Sequence, residues 1–148
     1  MCGIVGLFLK DPKLQPQPGT LLTDMLITMT DRSPDSAGIA IYSDTAPCRV
    51  KITAQSTDPA ADFATLDTDL QAALGQPVTL RLKDSHAVLE LPLTHLAAAR
   101  AALTQLRPQI EVISAGENIE IFKEVGLPRA VAARVWEPEP ATVYFWER

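Results

Sequence analysis

Asparagine occurs once in these 148 residues, and histidine and cysteine twice each. Two cysteines cannot build a disulfide framework, and two histidines with no companion cluster of ligands do not make a metal site. No uninterrupted apolar run approaches the ~18 residues of a membrane-spanning helix. No basic segment followed by an apolar core opens the chain in the manner of a secretory leader. Basic residues number 13 against 18 acidic, for a net charge of −5, which leaves no footprint for nucleic acid. These absences point to a cytoplasmic chain with reduced thiols, no metal or cofactor, and neither a nucleic-acid nor a membrane partner. A hydrophobic content of 47% against 21% charged residues marks a globular protein, of a length that suits one domain or a small domain with an insertion.

What is present starts at the second position. Cys2-Gly3-Ile4-Val5-Gly6-Leu7 places a small side chain behind Met1, which favours removal of the methionine. Cys2 would then carry both a thiol and a free α-amine whose pKa is about 7.7–8.0, a nucleophile and its general base on one residue. Ile4, Val5, Leu7, Phe8 and Leu9 read as a strand buried on both faces, with the thiol at its tip. The two glycines leave room for close approach to the backbone. The plainer reading is a small second residue ahead of an ordinary core strand.

A proline-punctuated loop over 11–19 follows, then Leu22, Leu26 and Met29 at helical spacing in a helix capped by Thr20 and ending near Asp31. Arg32-Ser33-Pro34-Asp35-Ser36-Ala37-Gly38 is a tight turn into a strand over 38–42. Such a turn can aim Arg32 and Asp35 at a neighbouring strand tip; a solvated pair of little energetic value is the alternative.

A chain opening Cys-Gly-Ile-Val-Gly, with Arg32-Ser33-Pro34-Asp35-Ser36-Ala37-Gly38 about thirty residues on, resembles the class II glutamine amidotransferases, which are N-terminal-nucleophile (Ntn) hydrolases. Gly116-Glu117-Asn118-Ile119-Glu120-Ile121-Phe122-Lys123-Glu124-Val125-Gly126 narrows the resemblance to the small subunits related to glutamate synthase, including those of N-methylglutamate synthase. It covers residues 1–44 and about 115–135.

Between these blocks the pattern itself is informative. Val50, Ile52 and Ala54 alternate as a strand. Asp58 caps one helix with Pro59 in its first turn, Phe63, Leu66, Leu70 and Leu74 as its apolar stripe, and Gly75 at its end. Val78, Leu80 and Leu82, then Ala87, Leu89 and Leu91, make a hairpin about Lys83-Asp84-Ser85, with His86 on its outer face beside Val88 and Glu90. A helix from about Thr94 ends before Pro108, and Ile110 and Val112 mark a last strand. The order β-α-β-β-α-β over 49–114 predicts an inserted ferredoxin-like subdomain. Pro128 opens a short helix through Val135. Residues 136–148 form a divergent tail with four of the eight aromatic residues, and 141–148 read as a final edge strand.

The fold class expected is therefore α+β: the N-terminal part of an Ntn-hydrolase αββα sandwich, over 1–48 and 115–135, interrupted by the ferredoxin-like unit. The resemblance implies glutamine as substrate, Cys2 as catalytic nucleophile, Gly3, Arg32 and Asp35 in orienting the nucleophile or lining the substrate pocket, and a synthase partner that takes the ammonia. Ser33 stands where the family has glycine. The family's Asn-Gly oxyanion pair and its Gly-His-Thr-Arg carboxylate clamp have no counterpart, since Asn118 precedes Ile119 and neither His86 nor His95 precedes Thr-Arg. The expectation is a chain truncated or split from its second half and catalytically incomplete alone. Cys48 reads as an ordinary loop cysteine. The rival from another class is a non-catalytic module that binds a small ligand or docks a partner.

Overall fold

The computed structural model describes residues 3–14, 18–32, 35–43, 46–135 and 142–147, with the backbone alone described for 142–147 and for Pro12, Pro18 and Arg32. The elements in chain order are β1 (Ile4–Leu7), α1 (Pro18–Ile27), β2 (Ser36–Tyr42), β3 (Arg49–Gln55), α2 (Pro59–Asp62), α3 (Leu66–Leu74), β4 (Thr79–Lys83), β5 (His86–Pro92), α4 (Leu96–Leu106), β6 (Glu111–Gly116), β7 (Ile119–Val125), α5 (Pro128–Val135) and β8 (Thr142–Glu147). They divide into two units, Met1–Asp44 with Ile121–Arg148, and Thr45–Glu120.

The first unit is built on a sheet in the order β1-β8-β2-β7. α1 packs on β1 and β8, α5 packs on β2, and the two helices pack on each other. Leu22 and Leu26 of α1, Ile39 of β2, Phe122 of β7, and Val131 and Val135 of α5 supply its buried apolar side chains. Two expectations are corrected here. β1 is not buried on both faces: Ile4 is 75% exposed while Val5 and Leu7 are half-buried. Among the described residues the strand lies at an edge, with β8 as its one ladder partner and α1 packed on it. β8 is not an edge strand. It runs antiparallel to β1 on one side and to β2 on the other. Its run Thr-Val-Tyr-Phe-Trp is wholly β-branched or aromatic, a composition that suits a strand paired on both sides.

The second unit carries an antiparallel sheet in the order β4-β5-β3-β6. One face packs Val50, Ile52, Ala87, Leu89 and Leu91 against Phe63, Leu66, Leu70, Ala99 and Leu103 of the helical segments. The single helix expected after Asp58 is two, because the chain breaks at 63–65. Asp58 accepts from the Ala61 amide and Pro59 opens α2. Gly75 closes α3 in the left-handed region at φ 63°, where its amide donates to the Gln71 carbonyl. The break leaves the Asp62 carboxylate buried at the end of α2, where it accepts from the Ser56 hydroxyl and from Gln109 Nε2. α4 begins two residues later than expected, after a 3-10 turn over Leu93–His95.

The opposite face of this sheet is polar by sequence yet buried. Lys51, Thr53, Lys83 and His86 point there by strand alternation, and all four are buried. His86 therefore does not stand on an outer face as expected; it is 1% exposed, with the Ser85 hydroxyl 3.0 Å from its Nδ1. Glu120 is buried as well, and accepts from Lys51 Nζ at 2.8 Å and from Arg81 Nη2 at 2.8 Å through each oxygen. β7, which carries Glu120, follows no clean alternation and was not expected as a strand.

Two stability predictions follow from this unit. Thr53 Oγ1 is fully buried without a hydrogen-bond partner among the described residues. Thr53→Val removes that unmet group and is expected to stabilise the protein by about 1–3 kcal/mol, read from the urea unfolding midpoint; a lower midpoint would mean the hydroxyl is bonded. For Asp62, the hydrogen bond from Ser56, then that from Gln109, holds the carboxyl below its usual value of 3.8. A depressed folded pKa contributes stability that is present above 3.8 and lost as pH falls through the folded value. The stability gap between wild type and Asp62→Asn should therefore be widest at neutral pH and narrow on acidification, and a gap constant down to pH ~2 would contradict this.

Candidate active site

The ladder registers bring the two N-terminal motifs to one end of one sheet. Ile4 at the start of β1 and Gly38 near the start of β2 both stand opposite Trp146 of β8. β1 and β2 are thus parallel, with β8 between them, and their beginnings are separated by two strand spacings, roughly 10 Å. Gly3, buried, leads into β1 at this end. Cys2 precedes it and lies outside the described residues, as does Ser33.

The turn before β2 arrives at the same place. The chain leaves α1 through a 3-10 turn over Thr30–Arg32 and resumes at Asp35, which is exposed. The Asp35 carbonyl accepts the Gly126 amide at 3.0 Å. Gly126 follows the last residue of β7, so the C-terminal end of β7 meets the start of β2. Its φ of 135° lies in a region that side-chain-bearing residues rarely adopt. Two of the segments that carry the family resemblance, the turn and the block ending at Gly126, are therefore joined by a backbone hydrogen bond. Of the expected site residues, Gly3 and Asp35 are brought to this end of the sheet. For Arg32 the backbone enters the turn.

Gly126 is the residue that pattern reading did not assign a role. The signal for it is a glycine directly before Leu127-Pro128, which marks a change of direction. Elsewhere, Cys48 sits exposed in a loop with φ 61°, and its carbonyl accepts the Leu93 amide at 2.8 Å. Among the described residues, no group of three or more histidine, cysteine, aspartate or glutamate side chains could hold a metal ion. Among them, too, no helix is long and apolar enough to cross a membrane.

The arrangement puts the start of β1, with buried Gly3 before it, and the bonded Asp35 before β2 at one end of the sheet, two strand spacings apart. No protein-family model matches the chain. Curated proteins do, and their names are those of glutamine amidotransferases. "Glutamine amidotransferase-like protein GlxB" of Rhizobium meliloti is 54% identical over 134 residues, spanning 90% of this chain and 44% of that protein. "Putative glutamine amidotransferase" of Methanothermobacter thermautotrophicus is 26% identical over 147 residues, spanning 90% of this chain and 46% of its own length. The chain spans under half the length of either relative.

Gly126→Ala tests the junction. A Cβ there meets no atom within 4 Å, so any penalty is backbone strain alone. The substitution is expected to destabilise the protein by about 1–3 kcal/mol, seen as a lower thermal midpoint. An unchanged midpoint would mean that this φ is not enforced.

Proposed function

We propose that the chain is the N-terminal part of a class II glutamine amidotransferase, with Cys2 as its nucleophile. Once Met1 is removed, the Cys2 thiolate attacks the side-chain amide carbon of glutamine. The α-amine of Cys2 relays the thiol proton to the departing ammonia, and water then cleaves the γ-glutamyl thioester to release glutamate. Ammonia passes to a synthase partner. Gly3 gives the substrate access to the backbone beside Cys2, and the turn from Arg32 to Asp35 orients the nucleophile.

The observation that carries this reading is the shared register opposite Trp146, which puts the start of β1 and the start of β2 at the same end of the sheet, on either side of β8. The 54% identity to an amidotransferase-like protein supports it. The Ntn-type αββα fold belongs to the same proposal: in the first unit the helices lie on one side of the sheet, and Ile4 on β1 is left largely exposed. So does a ferredoxin-like subdomain over 49–114, supported by the antiparallel sheet β4-β5-β3-β6 and by the helical segments that follow β3 and β5.

The mature protein is expected to begin at Cys2, which intact-mass spectrometry reads directly; a retained Met1 would block the proposed base. The 148-residue chain has no Asn-Gly pair and no His-Thr-Arg stretch. Losing one oxyanion donor typically costs ~10²–10³ in rate, so no measurable glutamate release is expected from this chain alone. A diazoketone analogue of glutamine should still alkylate Cys2, slowly and without saturation. Cys2→Ala should abolish that labelling and leave Cys48 reactivity unchanged. Glutamate release at ~1–10³ per second would show that other groups here supply the missing donors.

A further inference from the structure

Among the described residues four strands end the two sheets, β1 and β7 in one and β4 and β6 in the other. β7 bears Lys123 and Glu124, β4 bears Arg81 and Lys83, and β6 bears Glu111. Charges of this kind keep edge strands from pairing with another chain. β1 has none, and the whole run from Gly3 to Leu9 is uncharged. Its described ladder is filled on the β8 side alone.

The outward face of β1 is apolar as well. Exposure alternates along the run: Ile4, Gly6 and Phe8 face solvent, while Val5, Leu7 and Leu9 are half-buried. A sheet face that meets water normally carries polar residues. Here Ile4 is 75% exposed and Phe8 65%. An unpaired ladder edge and an apolar face on one strand fit one kind of occupant. A second strand would bond to the backbone of β1 and lay its side chains over Ile4 and Phe8.

The relatives indicate which polypeptide supplies it. Over half of each lies outside the match to this chain. The Asn-Gly pair and the His-Thr-Arg stretch expected of an amidotransferase are absent from these 148 residues. A second copy of the chain would bring the same residues and the same gaps. A strand on the free edge would run one strand spacing, ~4.8 Å, from Ile4, two residues from Cys2, where oxyanion donors are needed.

We propose that the free edge of β1 is the docking site for a β-strand of the polypeptide that corresponds to the unmatched part of the relatives. The choice of occupant rests on the amidotransferase reading above; the open edge does not.

The test joins the 148-residue chain to the unmatched part of the relative 54% identical to it, once by co-expression and once fused after Arg148 through a Gly-Ser linker. Light scattering is expected to show a one-to-one complex on co-expression and a monomer for the chain alone. By NMR, alternate β1 amides, those turned away from β8, should exchange at least tenfold more slowly in the complex and in the fusion than in the chain alone. The double variant Ile4→Lys, Phe8→Lys changes two exposed side chains and should weaken the complex about hundredfold or more, because docking would bury both charges. Val125→Lys, at an 83% exposed position of β7, is the comparison and should bind as wild type does. Wild-type affinity in the double variant, an equal loss in Val125→Lys, or a dimer of the chain held through β1 would each overturn the proposal. Unprotected β1 amides in the fusion would overturn it too, and the fusion decides if the separate part does not fold. Labelling of Cys2 by the diazoketone is read alongside. Protected β1 amides with an unlabelled Cys2 would end the amidotransferase reading and leave the docking site standing; labelling without protection would do the reverse.

Discussion

The ladder made by β8 is the constraint on which the first unit depends. Among the described residues β1 and β2 do not pair with each other; they are joined through β8, by registers that meet at Trp146. The spacing between the buried Gly3 and the turn at Asp35 is set by that shared strand. Without it the two N-terminal motifs would be separate segments with no fixed spacing. The helices alone could not substitute, since a helix packs on side chains and leaves strand register free, whereas backbone ladders specify register residue by residue.

The second unit was the more legible half of the sequence. Val50, Ile52 and Ala54 and the two alternating runs about Lys83-Asp84-Ser85 mark its strands because one face of each packs on helices, and that is the situation in which alternation carries information. The same rule misled at His86. Alternation implies a polar face that meets solvent, but Lys51, Thr53, Lys83 and His86 are buried there. Polar residues can line a buried face when charges and hydrogen bonds satisfy them, as Glu120 does for Lys51 and Arg81. A single sequence shows the polarity and not the partner.

The first unit was harder to read for three different reasons. β1 is short and apolar, and such a run looks the same at an edge as in a core. β7 has Glu120 and Phe122 buried on one face, so its charge pattern contradicts its burial. β8 has the composition of a central strand but sits after an acidic, proline-rich stretch that drew the reading toward a peripheral tail. For the site, the motif residues were legible by resemblance, whereas Gly126 was not, because its role is to bond a residue ninety positions away in sequence.

The placement of β8 also bears on how the protein is made. Thr45–Glu120 is an unbroken stretch, complete as soon as it has been synthesised, whereas the other unit takes β1 and β2 from before it and β8 from after it. A hundred positions separate Tyr42 from Thr142, about 5–20 s of translation at typical rates. Through that interval β1 and β2 lack the strand that joins them, and their unpaired ladder edges are the kind of surface that invites strand pairing with another chain. The nascent protein thus carries one unit with its strands in hand and one that still lacks the strand between β1 and β2, and the second is the part that needs shielding until β8 arrives.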